Sequence, residues 1–295
     1  MLLNKHGSFY IRNGWITKII NSLSENAYLF SPNKELQAVD IAGVGRVMVK
    51  AMRYWATAVG IVEEGKDQQG IVCQLTELGQ IIRDYDLYCL DKATLWLLHR
   101  NLACQDDFAT AWYWAFNIYS SKSFTKDEFC ASFYSYIQRE GGVYQKSMIE
   151  KEFDCFKNTY VNDKGFDLAK IIEENTIPFF APLNLLNKSA GDIFEKAKVK
   201  AKDIPIDILI YCILKDNEEA LINNRQLSID HLLEDSKQVG RYMNISYAVL
   251  LELLQQLENE KYLRVTNNFG NRHIQLEVNE APKEILERHY RDNVR

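Results

Sequence analysis

The chain has 295 residues, and its 35 Lys and Arg against 40 Asp and Glu give a net charge of −5. A hydrophobic fraction of 47% and a charged fraction of 25% are typical of a folded globular protein. They exclude collagen-like, low-complexity and disulfide-rich miniprotein classes. Because the whole chain is acidic, any nucleic-acid binding needs a local basic surface. At roughly 150 residues per domain, the length predicts about two domains.

The cysteines and the apolar segments indicate the cellular compartment. The six cysteines form neither a CxxC pair nor a cluster with metal-ligand spacing, which is typical of reduced, mostly buried thiols. No apolar run approaches the roughly 18 residues of a membrane helix. The first ten residues also lack the apolar core of a signal peptide. We therefore expect a cytoplasmic protein with no membrane partner.

The first ninety residues predict three helices followed by a β-hairpin. Apolar residues recur at helical spacing in each helix, and a tight Gly43-Val44-Gly45 turn separates the second helix from the third. The predicted elements are the helices 15–23, 34–41 and 46–59 and the strands 61–62 and 71–73. This order is typical of a winged helix-turn-helix.

The middle of the chain, about 92–178, is rich in aromatic residues at helical spacing and predicts a helical bundle. Within it, Thr125 and Glu128 stand three residues apart, which predicts a capping box at a helix start. A proline-flanked, lysine-rich stretch follows at 181–205. We interpret this stretch as a linker with a solvated surface, and a phosphate-contacting strip is the alternative.

The last third repeats the outline of the first. It predicts three helices and then two alternating strands around an Asn/Gly turn at 267–271. The predicted elements are the helices 206–214, 228–234 and 246–258 and the strands 262–265 and 273–278. The predicted fold class is mainly α with small β-hairpins. The predicted domains are a winged helix at 1–90, a helical domain at 91–180, the linker at 181–205 and a second winged helix at 206–295.

The segment 43–59 carries the clearest functional pattern. At about 100° per residue, Arg46, Lys50 and Arg53 lie within an arc of roughly 60°, opposite an apolar face. No Asp or Glu occurs between Ile41 and Val62. Like charges three or four residues apart repel, so an external anion would stabilise this basic face. The backbone N–H groups that follow Gly43 and Gly45 also favour a phosphate.

We interpret this helix as a DNA-binding helix that lies in or across a major groove. The alternative is an ordinary solvated face whose cations pair with acids elsewhere in the chain. Arg12 and Lys18 flank the turn before the first helix and would extend the basic surface. His6 is a weaker candidate for the same surface, either as a general base or as a structural hydrogen-bonding residue.

The predicted second winged helix lacks the basic pattern of the first. Its third helix carries Glu252 and Glu258 but no Lys or Arg, which opposes the approach of phosphates. Arg264 and Arg272 on its hairpin are weaker candidates for DNA contact. A protein contact or a homodimer interface is the alternative for this module. His99 follows an apolar run and is expected in the core.

Known catalytic motifs are absent from the sequence. We find no P-loop, GxGxxG, GxSxG or HExxH motif, no zinc-ligand spacing and no PD-(D/E)xK nuclease signature. The sequence therefore assigns neither a catalytic residue nor a metal ligand. Metal-dependent phosphodiester chemistry would require carboxylates gathered from distant segments.

Four runs in matching order resemble the signatures of one family. They are residues 6–18, residues 43–55, residues 94–102, and Trp112 followed by Phe116-Asn117. The first resembles the pattern H-x-T-F-x-x-R-x-G-W-L-x-K, with Ser8 where Thr is usual. In the second, Arg46-Val47 stands where Lys-Asn is common. The family is the uncharacterised-domain family found in bacterial DNA phosphorothioation islands, which includes the SspB-type proteins.

The resemblance implies a DNA-binding protein of a sulfur-modification and anti-phage system. Its implied partners are DNA and the ATPase, PAPS-reductase-like protein and cysteine desulfurase of that system. SspB-type members are associated with nicking one strand for sulfur insertion, which would call for Mg²⁺ or Mn²⁺. A non-catalytic winged-helix adaptor or a transcriptional regulator is the alternative. The resemblance assigns no catalytic residue, so enzymatic activity stays open.

Overall fold

The structure, a computed structural model, describes residues 1–161, 177–268 and 271–293. Phe269 and Gly270, in the predicted turn of the second hairpin, lie outside these described residues. The described part of the chain is mainly helical with small antiparallel sheets. It divides into a first unit, Met1–Ala115 with Ser121–Lys196, and a second unit, Phe116–Ser120 with Ala197–Arg295. Within these residues, no helix is both long enough and apolar enough to span a membrane.

The helices and the hairpin predicted for the first ninety residues are present. They are α1 (Trp15–Glu25), α2 (Glu35–Ala42), α3 (Arg46–Ala58), β1 (Val62–Asp67), β2 (Gly70–Leu75) and α4 (Glu77–Tyr85). Gly43 ends α2 with a φ of 62°, a left-handed conformation that explains glycine at this turn. The turn leaves only three residues between the end of α2 and the start of α3, and α3 packs against both α1 and α2.

The apolar face predicted for α3 is buried. Met52, Trp55 and Val59 are completely shielded from solvent. The indole N–H of Trp55 donates to the carbonyl oxygen of Phe9 at 2.8 Å, so the polar atom of this buried ring is satisfied. The N-terminal segment before α1 is thereby held against α3.

Four helices follow among the described residues of the first unit, in the region predicted as a helical bundle. They are α5 (Lys92–Ala103), α6 (Thr110–Tyr113), α7 (Lys126–Arg139) and α8 (Lys146–Tyr160). The predicted capping box is confirmed: Thr125 and Glu128 each accept from the other's backbone N–H at the start of α7. The helices pack through aromatic rings, among which Phe129 stacks on Phe156 with centroids 5.3 Å apart.

The segment interpreted as a linker is partly built into the first unit. It contains β4 (Leu186–Lys188) and β5 (Phe194–Lys196), and β5 pairs with β3 (Ser123–Phe124) in the order β3-β5-β4. Phe194 lies opposite Phe124, and both rings are buried. This part of 181–205 is therefore not a linker, because burying these rings requires the paired strands.

The second unit contains the elements predicted for the last third and several short ones beside them. They are α9 (Ile206–Asp216), α10 (Glu218–Asn223), β6 (Gln226–Ser228), α11 (Ile229–Glu234), α12 (Val239–Tyr242), α13 (Tyr247–Asn259), β7 (Leu263–Asn268), β8 (Asn271–Leu276) and α14 (Pro282–Asn293). The sheet has the order β6-β8-β7. Residues 116–120 join this unit through the Asn117 side chain, which accepts from the Lys237 N–H at 2.7 Å.

A polar cluster joins the first and last helices of the second unit. Asp207, in the first turn of α9, accepts from the Tyr262 hydroxyl at 2.9 Å and lies 3.3 Å from both Arg288 and His289 of α14. Burial by itself raises the pKa of Asp207. The hydrogen bonds from His289 and Tyr262 and the charge of Arg288 outweigh burial, so the pKa lies below its usual value.

This cluster makes stability depend on pH in a defined direction. Because the folded-state pKa of Asp207 is depressed, its ionised form stabilises the fold above about pH 4, and this contribution is lost as the pH falls through the folded-state pKa. We expect Asp207→Asn to lower the free energy of unfolding at pH 7 and to differ less from wild type at pH 3. Urea unfolding followed by circular dichroism measures both values. Asp40→Asn, at an exposed position, is the control. If Asp207→Asn lowered the free energy of unfolding as much at pH 3 as at pH 7, the assignment would be contradicted.

Candidate nucleic-acid interface

The three cations predicted on one side of α3 differ in exposure. The Arg46 and Lys50 side chains are 58% and 67% exposed, whereas that of Arg53 is 28% exposed. Exposure is therefore greatest in the N-terminal half of the helix. The cations lie on the side opposite the buried Met52 and Trp55, as the helical period predicts.

In space, this face is not free of acidic partners. Glu35 of α2 places its Oε1 3.2 Å from Lys50 Nζ and 3.6 Å from Arg46 Nε. Glu64 of β1 accepts from Arg53 Nε at 2.7 Å and from a second guanidinium nitrogen, and this bonding raises the pKa of Arg53. Residues 42–61 contain no acid, but the prediction that the folded basic face has no acidic neighbour is wrong. The α2–α3 turn and the hairpin place Glu35 and Glu64, which lie outside that segment, beside the cations.

The face nevertheless keeps a surplus of positive charge. Arg46 and Lys50 share one carboxylate, so three cations face two acids. Ion pairs between exposed side chains contribute little, typically about 0–1 kcal/mol, because water screens them. The Arg46 and Lys50 side chains are mostly exposed, so their charges remain accessible to an anion from solution. The pairing that the structure shows leaves the N-terminal half of α3 able to bind an anion.

The turn before α3 exposes backbone donors. Gly43, Gly45 and Arg46 are all exposed. Gly45 is the N-cap residue, no side chain caps the helix, and no acid lies in its first turn. Because the first N–H groups of a helix lack partners within it, this end of α3 presents donors and a favourable dipole to an anion.

Arg12 and Lys18 are placed differently from one another. Lys18 Nζ donates to the carbonyl oxygen of Ala42 at 2.9 Å, so its charge lies at the end of α2 beside the turn. The guanidinium carbon of Arg12 lies 5.7–6.0 Å from the ring centroids of Phe9, Tyr10 and Trp15. Arg12 is half-buried, and its Nε meets no hydrogen-bond partner among the described residues. Of the two, Lys18 is the one whose hydrogen bond ties it to the basic turn.

His6 is a core residue. Its side chain is 1% exposed and lies 3.2 Å from Glu152, which is itself buried. Nδ1 accepts from the Ser8 N–H at 3.1 Å, and Nε2 lies on the side of the ring that faces Glu152 Oε1. The imidazole stacks on Trp55 and meets Trp112 edge-on. This placement removes His6 from any surface that meets DNA.

Glu152 is the important residue that the sequence analysis missed. It also accepts a hydrogen bond from the backbone N–H of Asn4, so it fixes the N-terminal segment to α8. Its only sequence signal is an acid within an otherwise apolar helical face. The other histidine of the unit, His99, is completely buried and hydrogen-bonded to Tyr160 at 2.9 Å, which confirms it as a core histidine.

The two candidate arginines of the second unit are both engaged. Arg264 pairs with Glu277 at 2.9 Å, and Arg272 donates to the Tyr247 hydroxyl at 3.3 Å. Glu258 of α13 accepts from the Val265 N–H, which ties the acidic helix to β7. Both arginines remain exposed.

Within the described residues 1–161, 177–268 and 271–293, no three His, Cys, Asp or Glu side chains come together in a way that could hold a metal ion.

Comparison with known proteins identifies the family. A family model matches residues 3–290. The chain belongs to the family described as protein of unknown function, DUF4007. None of the curated proteins matches it.

Two solved structures share the fold. A crystal structure of magnesium ion-bound SspB has a TM-score of 0.82 and 22% identity and covers 99% of this chain and 88% of that chain. A second SspB crystal structure has a TM-score of 0.81 and 23% identity, with the same coverage. At these identities, the likeness of this DUF4007 protein to SspB establishes a common fold.

The His6–Glu152 pair predicts a large loss of stability when its acid is removed. Glu152→Ala leaves the His6 ring and the Asn4 N–H without their acceptor inside the core. We expect the free energy of unfolding to fall by about 3 kcal/mol, the usual cost of breaking a buried pair. Urea unfolding measures the change. Glu152→Gln keeps an acceptor oxygen and should lose less, and Glu150→Ala on the exposed side of α8 should lose almost nothing. Equal stability of all three variants would refute a structural role for the pair.

Proposed function

We propose that this protein binds DNA as a component of a DNA phosphorothioation and anti-phage system. The observation that carries the proposal is the surplus positive charge on the exposed N-terminal half of α3. Arg46 and Lys50 share a single carboxylate there, beside a turn that exposes backbone donors. Such a surface matches the phosphate backbone, which supplies most of the affinity in non-specific DNA binding.

We further propose that the first unit contacts DNA as a winged helix-turn-helix. The order α1, α2, tight turn, α3 and β1–β2 hairpin supports this arrangement. In it, α3 lies in the major groove, Arg46 and Lys50 contact phosphates, and Arg46 or Arg53 reaches guanine edges. In the second unit, helices likewise precede the β7–β8 hairpin, and β6 joins that hairpin in a three-stranded sheet. We assign it a second winged helix whose acidic α13 favours a protein contact or a homodimer over a groove.

Glu35 and Glu64 set the conditions of this binding. In the free protein they occupy the positions that phosphates would take beside α3. DNA must displace at least Glu35 before both Arg46 and Lys50 contact the backbone. Arg53, held by two hydrogen bonds to Glu64, contributes less than the two exposed cations.

The setting of the proposal comes from the family. The chain belongs to DUF4007, and its fold is that of SspB. The motifs at residues 6–18 and 43–55 resemble those of the family found in phosphorothioation islands. We propose the ATPase, the PAPS-reductase-like protein and the cysteine desulfurase of such an island as partners in the cytoplasm.

A second candidate function is metal-dependent nicking of one DNA strand. It is favoured by one observation, the magnesium ion in a crystal structure of SspB, a protein of the same fold. The described residues of this chain do not gather a metal site, so we derive no catalytic step. DNA binding without cleavage, as an adaptor or a transcriptional regulator, is the form that this geometry supports better.

The basic face predicts the salt dependence of binding. The double variant Arg46→Ala with Lys50→Ala should weaken DNA binding. The plot of log affinity against log salt concentration should also become less steep, its slope falling in magnitude by about 1.8, at about 0.9 for each lost phosphate contact. Fluorescence anisotropy with a labelled duplex at several salt concentrations measures both quantities. Unchanged affinity together with an unchanged slope would exclude α3 as the contact.

Variants of the neighbouring acids and of the second unit serve as controls. Glu35→Gln removes the competing carboxylate and should tighten binding about two- to threefold, the value of one exposed ion pair. Arg53→Ala should weaken binding more than Arg264→Ala. The reverse order would move the DNA contact to the second unit.

Supercoiled plasmid separates the two candidate functions. The purified protein is incubated with plasmid and Mg²⁺, Mn²⁺ or EDTA, and the products are separated on agarose. Retarded but uncut plasmid in all three conditions is expected of a DNA-binding adaptor. Metal-dependent conversion to open circle, lost in a variant of a single acid, would establish a nickase.

A further inference from the structure

A cavity of about 490 Å³ opens in the first unit beside the basic side of α3. Its volume lies within the roughly 300–1,000 Å³ range of small-molecule sites. The walls come from the N-terminal segment, the loop before α2, α3, β1 and the loop before α6. No residue of the proposed DNA-contacting turn Gly43 to Gly45 lines it. The cavity is therefore a feature distinct from the exposed end of α3.

One wall of the cavity is aromatic. The rings of Tyr54 and Phe108 stack with centroids 5.1 Å apart and an angle of 13° between their planes. Tyr54 is buried, whereas Phe108 is only half-buried. Tyr54 therefore covers one face of the Phe108 ring, and Phe108 keeps surface for a further planar group. Phe30 and Val49, both buried, continue the apolar wall.

The other side of the cavity carries more positive than negative charge. Lys5, Lys50 and Arg53 line it together with Glu35 and Glu64. Lys5 is exposed and forms no ion pair with any residue that the structure describes. Lys50 competes with Arg46 for Glu35. A ligand with a flat ring at one end and an anion at the other would complete both sides of this cavity.

We propose that this cavity binds one unstacked nucleotide, with its base against Phe108 and its phosphate at Lys5 and Lys50. An apolar ligand would leave Lys5 and the surplus positive charge at Lys50 uncompensated, and a simple carboxylate or phosphate would leave the aromatic wall uncovered. Stacking on an aromatic side chain is tolerant of base identity, because every base has a π-face. The ligand chemistry is the same for a free mononucleotide and for a nucleotide displaced from a DNA duplex.

The second source deepens the proposed DNA-binding function and rests on it. Lys50 belongs both to the basic face of α3 and to the lining of the cavity. A DNA backbone held at Lys50 therefore passes the cavity mouth. An unpaired nucleotide at that point would enter with little unstacking cost, because it is already outside the base pairs.

Isothermal titration calorimetry with free ligands tests the cavity itself. Wild-type protein should bind deoxyadenosine monophosphate more tightly than deoxyadenosine or ribose 5-phosphate, each of which lacks one half of the ligand. Phe108→Leu should weaken nucleotide binding about tenfold through the lost stacking face. Lys5→Gln should weaken binding of the nucleotide but not of deoxyadenosine. Tyr88→Leu and Lys261→Gln, at exposed positions outside the cavity, should bind as wild type does.

Duplex DNA distinguishes the source of the nucleotide. A duplex with one unpaired adenine should bind more tightly than a fully paired duplex of equal length, and Phe108→Leu should remove that preference while Tyr88→Leu keeps it. Nucleotide binding without a preference for the unpaired duplex identifies the free mononucleotide as the ligand. A preference for the duplex with the unpaired adenine, without binding of the free mononucleotide, identifies a nucleotide displaced from DNA as the ligand.

The inference and the proposed function fail in different ways. If wild-type protein shows neither nucleotide binding nor the duplex preference, the cavity proposal is overturned, even where the paired duplex still binds through Arg46 and Lys50. The same holds if Phe108→Leu and Lys5→Gln leave both measurements unchanged. If no duplex binds but the mononucleotide does, the proposed function falls and the cavity proposal stands. Lys5 is exposed, so its variant remains informative if Phe108→Leu does not fold.

Discussion

The burial of one side of α3 is the constraint on which the first unit depends. Trp55 is completely shielded, donates its indole N–H to the Phe9 carbonyl and packs against the rings of His6, Tyr54 and Trp112. Removing such a side chain from water stabilises the fold by roughly 1.5–3 kcal/mol. Since the apolar side is fixed inward, Arg46 and Lys50 must project outward. The core therefore determines where the charges of this helix can act.

The polar interactions of the molecule divide into two kinds. Inside the first unit, Glu152 accepts from the Asn4 N–H and lies 3.2 Å from His6, where an unpaired group would cost much because water cannot replace the lost partner. Nearer the surface, the partly buried Glu35 pairs with Arg46 and Lys50, whose side chains are mostly exposed and which water also solvates. The buried pair therefore stabilises the structure, whereas the exposed pairs mainly adjust how strongly α3 attracts an anion. The same residue types serve different ends because their burial differs.

The sequence predicted the elements of both terminal regions and the two faces of α3, because helical periodicity and turn residues are local signals. It could not predict Glu64 beside Arg53, since the hairpin brings that acid close, or Glu152 beside His6, since the two are far apart in sequence. The strands at 186–188 and 194–196 were missed because three residues are too few for an alternating pattern. The cavity beside α3 draws on five separate segments, so no local pattern could reveal it. The sequence therefore predicted the cations of the site, but it did not predict the acids that pair with them.

The pairing of β3 with β5 and the assignment of residues 116–120 to the second unit have a consequence for the order of synthesis. When a ribosome has made the first 160 residues, Phe124 has no strand to cover it, because its partner Phe194 has not been made. Asn117 is made still earlier and waits for Lys237, 120 positions later. The chain therefore crosses between its units more than once, and no single proteolytic cut can separate them as intact pieces. The first unit has all its segments once Lys196 has been made, whereas residues 116–120 must wait for the segment that begins at Ala197.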